Sequence, residues 1–390
     1  MTVRNSFARI LGLVLLLGIG LAQAQEPVKL GLVAALSGNS ALSGEAITRG
    51  LSVAIDEVNA RGGVLGGRKL VLLRRDDESN PAKGQLAARE LIEKEKVAVV
   101  FGGLDTPVSV ALIGLIHELK TPYMGVWAAG TNIVQNGKSP NFMFRVSAED
   151  ERVDLGMLKY AAKTFGAKKP GAMLVNNPWG ESNLKGLEKG SRELQIALAG
   201  LEKYNVNDAD MTPQLTRLRS SGADAIILVG NAAPAAQVLK SLERMSWNVP
   251  VVSHWGISGG RFDELAGPKY KEVHFVQTYS FAGRQNPVGE RVLKALMAKY
   301  PDVKSAADVL SPVGTANAYD ALMLTALAID KAGSTDPDKI RTAYYEIPPY
   351  EGLIKRYVKP FSPGNHDALA DSDYIWVRFE GKNIVPVAAK

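Results

Sequence analysis

Four patterns in this chain hold residue types that could do chemistry, and their spacing decides which survive. Gly256-Ile257-Ser258-Gly259-Gly260 matches the G-x-S-x-G turn that lifts a nucleophilic serine above a strand. A working serine also needs a histidine base, an acid behind it and an upstream oxyanion loop. No HGGG-type loop precedes it, His274 falls in the next strand pattern, and His366 falls in a polar loop. Serine hydrolysis at Ser258 is the weakest of the readings, and no enzyme activity is expected. GGVLGGRK (62–69) resembles a phosphate cradle, but a P-loop requires G-x4-G-K-[ST] between a strand and a helix. Here the glycines follow a helix and Arg68 replaces the lysine, so a plain turn is expected. The histidines at 117, 254, 274 and 366 are scattered, and cysteine is absent. Asp208-x-Asp210 and Asp371-x-Asp373 lack the spacing of a calcium loop. No metal and no cofactor is expected, and His117, in an amphipathic helix pattern, reads as a surface residue.

The fourth pattern is a set of small polar loops: Ser37 to Ser43, Asp105-Thr106, Ala128 to Thr131, Pro178-Trp179, Asn231 and His254-Trp255. Each follows a predicted strand and precedes a predicted helix, so in a doubly wound lobe all reach the same edge of the sheet. Helix N-terminal N–H groups there can hold an anionic group without a cationic side chain. Trp179 and Trp255 supply flat apolar walls. This predicts a small-molecule cleft without a catalytic group. Plainer roles compete for the same residues. Thr106 and Thr212, each before a proline, are good helix caps; the two tryptophans suit partly buried lobe positions; Asp105 complements a helix dipole.

The elements that must position these loops are clearest from Val28 to Asp77. A short apolar strand, VKLGLVA, leads into a helix over Gly44 to Arg61 whose Ile47, Gly50, Leu51, Ala54, Ile55 and Val58 form one core-facing stripe. Gly62 and Gly63 stop it and a second strand follows, completing a βαβ unit. Asn80-Pro81 opens the next helix. Strands are predicted at 97–101, 121–127 and 141–147, with a helix over Pro107 to Leu119. The pattern restarts at Glu149 with a helix to Phe165. Strands follow at 171–176, 201–206, 223–230 and 249–253, with helices between them. Two such runs imply two doubly wound α/β lobes with a cleft between. Residues 271–380 form no third run: a strand (271–280), helices at 287–299, 314–332 and 336–345, then strand-like pieces near 350–358 and 373–380. They are better explained as returning to both lobes through several hinge crossings.

The N-terminus fixes the expected compartment. Arg4 and Arg9, the apolar run Ile10 to Leu21 and Ala22-Gln23-Ala24 read as a cleavable signal peptide over residues 1–24. Twelve apolar residues fall short of the roughly 20 that span a bilayer. With no cysteine there is no disulfide and no lipid anchor, so a soluble periplasmic protein without stable membrane insertion is expected. Loss of Arg4 and Arg9 lowers the formal net charge from +6 to +4. Acids and bases alternate, as in LRRDDE (73–78), and nucleic-acid binding is not expected.

Several of these segments resemble a known family. SG (37–38), GEAITRGLSVAIDEVNARGGVLGGRKLVLLRRDDESNPAKGQLAARELI (44–92), AAGTN (128–132) and AYDAL (318–322) are similar to type I periplasmic binding proteins of ABC importers, in the branched-chain amino acid or amide class. The resemblance runs from about residue 28 to 380. It implies two lobes joined by three crossings, with residues 25–147 and about 278–357 in the N-terminal lobe. Residues 148–277 and about 358–390 make the C-terminal lobe. It further implies closure on a small solute and delivery to an inner-membrane permease with its ATPase. By position, Ser43 faces the cleft, and Asp105, Thr106, Ala129 and Thr131 hold the ligand carboxylate. Trp179 is the aromatic of the second lobe, with Asn231 and Trp255 near its other contacts. Two departures stand out. Pro107 removes an N–H where the amino-acid binders often carry a polar serine, and His254-Trp255-Gly256 offers no acid for an ammonium group. Asp105, on the other lobe, is an alternative counter-charge. A branched-chain or other neutral amino acid or amide is the expected ligand; aliphatic or aromatic carboxylates and urea-like solutes stay open, as does a sensory binding protein of the same fold.

Overall fold

The computed structural model describes residues 25–387, and the expected leader lies outside the described residues. Two sheets organise the chain. The first comprises β1 (Val28–Ala34), β2 (Leu70–Asp76), β3 (Val100–Gly102), β4 (Tyr123–Gly125) and β5 (Met143–Arg145), in the order β2-β1-β3-β4-β5 with every pairing parallel. Between these strands run α1 (Ala41–Ala60), α2 (Pro81–Glu93), α3 (Thr106–Glu118) and the single turn α4 (Thr131–Val134). Leu30 and Leu32 of β1 are wholly buried, as a central parallel strand requires. α1 begins three residues before the expected Gly44, preceded by a 3-10 turn over Gly38–Ser40. Its predicted stripe is buried throughout. Gly50 lets this helix approach the last third of the chain, since a Cβ there would stand 2.2 Å from the Thr315 carbonyl oxygen.

The second sheet takes β6 (Gly171–Val175), β7 (Gly200–Tyr204), β8 (Ile226–Val229), β9 (Val251–Ser253) and β10 (His274–Gln277). Its helices are α5 (Asp150–Phe165), α6 (Pro178–Leu194), α7 (Thr212–Ser220), α8 (Ala232–Arg244) and the short α9 (Phe262–Leu265). The remaining chain serves both lobes. α10 (Pro287–Lys299) and α11 (Pro312–Ala332) return to pack on α1, followed by α12 (Pro337–Ala343) and a small hairpin of β11 (Tyr350–Glu351) and β12 (Arg356–Tyr357). Then β13 (Ile375–Glu380) and β14 (Asn383–Pro386) add to the second sheet antiparallel, giving β14-β13-β10-β9-β8-β6-β7. The sequence pattern missed β14, a four-residue edge strand. The chain thus passes between sheets after β5, after β10 and before β13. No helix among the described residues is long and apolar enough to cross a membrane.

Two local expectations are corrected. His117 is half-buried and structural: its Nδ1 bonds the Ile113 carbonyl at 2.7 Å and its Nε2 accepts from Phe142 N at 3.2 Å, tying α3 to the segment before β5. Thr106 and Thr212 are not caps. Each is the first residue of its helix, with Asp105 and Met211 at the cap positions. The Thr212 hydroxyl turns back to Asp210 Oδ1 at 2.6 Å.

Candidate functional site

Both sheets direct the carboxyl ends of their parallel strands at each other. A pocket of about 360 Å³ opens between them, near the lower end of the range for small-ligand sites. From the first lobe it is lined by Asn39 and Ser40 after β1, Ser79 after β2, and Asp105 and Pro107 after β3. From the second come Asn177 and Trp179 after β6, Val206 after β7, and Asn231 after β8. Asn177 caps α6 by accepting from Trp179 N and Gly180 N at 2.9 and 3.2 Å, which fixes the Trp179 backbone at the pocket wall. Acidic Glu78 and Asp105 line this mouth, and among the described residues no lysine, arginine or histidine does.

Asp105 joins the lobes. Its Oδ2 accepts from Ser79 Oγ at 2.7 Å, and its Oδ1 accepts from Asn231 Nδ2 across the cleft at 3.4 Å. Burial pushes its carboxyl up, against the pull of those two hydrogen bonds. Behind it Asp77, 1% exposed, is pushed up to about 7 by burial, opposed by the Ser79 N–H and reinforced by the charges of Asp105 and Asp76.

Beneath the mouth the AAGT loop meets the start of α5. Gly130 N donates to Thr106 Oγ1 at 3.2 Å, so Thr106 serves the loop that follows β4. Asp150 N donates to the Ala129 carbonyl at 2.8 Å, and Glu151 N to Thr131 Oγ1 at 3.2 Å. Thr131 N in turn donates across the lobes to Ser182 Oγ at 3.1 Å. The loop is braced from behind by the fully buried Arg145, whose Nη1 donates to the Gly130 carbonyl at 2.9 Å and whose Nε pairs with Asp367 Oδ1 at 2.5 Å.

Asp150 is the residue that sequence reasoning missed. It is wholly buried, and its Oδ1 accepts from Trp179 Nε1 and from His254 Nε2, both at 3.1 Å. His254 Nδ1 accepts from Trp255 N at 2.9 Å, which leaves the ring proton on Nε2, facing the acid. Asp150 Oδ2 has no hydrogen-bond partner among the described residues, and neither has the buried indole Nε1 of Trp127, after β4. Asp150 lies in a charged run, EDERVD, that reads as a solvated helix start. Only its position one residue past the expected helix opening could have marked it. One turn on, Asp154 is also fully buried with both oxygens unpartnered, and burial together with the Asp150 charge raises its carboxyl well above the ordinary range.

Of the eight residues expected at the site, Asp105, Trp179 and Asn231 line the pocket together. Thr106, Ala129 and Thr131 form the loop framework beneath it. Ser43 is fully buried with its hydroxyl donating to the Ser40 carbonyl at 2.6 Å. Trp255 is 1% exposed and packs edge-on to His254 instead of lining the pocket. The Ser258 hydroxyl donates to the Trp255 carbonyl at 2.7 Å and accepts from Gln277 Nε2 and Ser311 Oγ. None of these is a base. Two of the glycines around it have a packing reason: a Cβ on Gly256 would stand 2.6 Å from the Trp179 ring, and one on Gly260 2.8 Å from the Ala232 Cβ.

The sequence profile described as periplasmic binding protein matches residues 27–380. A Leu/Ile/Val-binding protein homolog 3 of Brucella melitensis is 24% identical over 338 residues, covering 86% of this chain and 88% of that protein. Among solved structures, a leucine binding protein from Thermotoga maritima superposes with a TM-score of 0.80 at 21% identity, over 93% of this chain and 98% of that one. A solute binding protein of an ABC transporter from R. palustris, in complex with 4-hydroxybenzoate, gives 0.77 at 21% identity, over 93% and 96%.

Proposed function

The chain belongs to the periplasmic binding protein family, and from that premise we propose that it captures a neutral amino acid or amide between its lobes and delivers it to an inner-membrane ABC permease and its ATPase. The reading includes export to the periplasm through cleavage of residues 1–24. Cleft closure, not chemistry, is the working step.

The observation that carries this reading is the bare oxygen of Asp150. A buried carboxylate oxygen without a partner is costly, and an N–H donor on the ligand relieves that cost. Asp105 is the poorer candidate for this role, because both its oxygens already accept from Ser79 and Asn231. The acid missing from His254-Trp255-Gly256 is thus supplied from the start of α5, with His254 and Trp179 orienting it. The ligand carboxylate or carbonyl goes to the AAGT loop and the α3 N-terminus, and the side chain lies on Trp179. The Leu/Ile/Val-binding relative supports this choice. The R. palustris complex supports a second reading, an aromatic carboxylate.

Calorimetric titration with leucine, leucinamide, 4-methylpentanoate and 4-hydroxybenzoate separates the two. Leucine or its amide binding at least tenfold more tightly than 4-methylpentanoate is the expected result. Equal affinity for leucine and its deaminated analogue, or preference for 4-hydroxybenzoate, overturns the amino-group reading. Co-purification with a sensor kinase or chemoreceptor in place of a permease overturns the import role.

A further inference from the structure

A second pocket, of about 390 Å³, opens at the opposite edge of the second sheet. The strands whose carboxyl ends face the cleft begin here: Val249 to Val251 lead into β9, and Val273 and His274 into β10. Leu239, Leu242, Val251 and Val273, all buried, make its floor, and Phe165 and the half-buried Trp247 its walls.

Cations surround this apolar hollow. Lys269 and Lys271, from the 3-10 turn Pro268–Glu272, and Arg378 of β13 line it, with Glu272 as the one acid. Lys269 Nζ reaches only the Asn248 amide oxygen, at 3.4 Å, and Lys271 Nζ lies over the Tyr270 ring. Neither ammonium has a carboxylate in ion-pair range among the described residues. Arg219 adds a further positive charge against the outer face of Trp247, 5.9 Å from the ring centroid. A shallower hollow lined by Lys271, Arg378, Phe379 and Glu380 adjoins the first; Arg378 is paired there with Glu380 at 2.7 Å, which leaves the two lysines as the cations without a carboxylate partner. The cleft mouth, by contrast, is lined by acids and, among the described residues, by no cation.

The geometry points to a second ligand site, on the distal edge of the C-terminal lobe, for an amphiphilic carboxylate whose hydrocarbon part fills the Leu239–Leu242–Trp247 hollow and whose anion meets Lys269 and Lys271. An apolar body secures affinity in such a pocket, and the few charges at its rim set orientation and select the anion. A cationic or zwitterionic solute fits poorly there. The two sites would therefore take ligands of different charge, and because they lie at opposite strand ends, one ligand cannot occupy both.

Octanoate is the probe, with octanol as its uncharged control, titrated calorimetrically into the full chain. Saturable binding of octanoate with a dissociation constant on the order of 0.1 mM is expected, with octanol at least tenfold weaker. The double variant Lys269→Glu/Lys271→Glu should lose tenfold or more, Trp247→Ala a similar factor, and Trp179→Ala, at the cleft, nothing. Four results overturn the proposal: no saturable binding up to about 10 mM, octanol equal to octanoate, the lysine variant within twofold of the parent, or loss of octanoate binding in Trp179→Ala. Lys271 is exposed and Lys269 half-buried, and neither belongs to the core, so their replacement tests the site without disturbing it.

Discussion

Asp105 lines the cleft pocket from the first lobe, whereas Asp150, at the start of α5 in the second, bonds the indole of Trp179, which lines it, and the two acids are held in different ways. Asp105 sits at the mouth, half-buried, with each oxygen engaged by a neighbour. Asp150 sits deeper, wholly buried, with two donors on one oxygen and none on the other. Burial alone therefore does not distinguish a ligand contact from a latch between lobes. Unused bonding capacity does, because a group whose bonds are already made gains little from a guest. On this view Asp105 and Asn231 hold the lobes together over the solute, while Asp150, kept in place by Trp179 and His254, offers the solute its free oxygen.

The sharpest way to break this distinction is Asp150→Ala. Removing the buried acceptor should weaken amino-acid binding by about 3 kcal/mol, roughly 100-fold. His254 and Trp179 lose their partner in the same step, so Asp150→Asn is the companion variant. It keeps an acceptor for their N–H groups while removing the charge. A tenfold or smaller loss in Asp150→Ala, measured by calorimetry, would return the role to Asp105. Next in size is Trp179→Ala. It removes the apolar wall and one donor to Asp150, and should cost about 2 kcal/mol of binding, near 30-fold; because Trp179 is 7% exposed, the unliganded protein should also unfold at a lower temperature. Asn231→Ala removes only a 3.4 Å contact to Asp105. A loss of about threefold is expected, and it should appear in the dissociation rate of a stopped-flow experiment, since a latch acts on the closed state.

How much of this was legible without coordinates follows the same division. The loops at strand ends could be read directly, because the alternation of apolar strands and striped helices fixes which edge they reach. Asp105, Trp179 and Asn231 do converge in one pocket for that reason. Trp255 could not be placed: a tryptophan after a strand looks the same whether its ring faces the cleft or, as here, turns edge-on to its neighbour His254. Asp150 was hidden by composition. Flanked by Glu149, Glu151 and Arg152, it reads as part of a solvated face, and only the crossing from β5 into the second lobe carries it inward. The Thr106 hydroxyl was misread for a similar reason. Its partner is Gly130 N, 24 residues away, and a cap is a purely local inference.

The smallest effect concerns stability and tests whether the first-lobe rim carries strain from its packed acids. Asp77 is buried beside Asp76 and Asp105, and its carboxyl is pushed up to about 7 by burial, from 3.8. The folded protein therefore holds this proton more tightly than the unfolded chain does. Protonation linkage makes the resulting contribution to stability full below about pH 4, and it is lost as pH rises through 7. Asp77→Asn keeps the oxygen that accepts from Ser79 N at 2.8 Å and removes the titration. At pH 4 the variant and the parent should unfold at similar temperatures. At pH 8 the variant should be the more stable, by about 2 °C. A parent whose unfolding temperature, relative to the variant, does not fall between pH 4 and pH 8 would mean that the Asp77 carboxylate is accommodated at the rim as readily as in water. The acids flanking Asp105 would then impose no cost on the closed cleft.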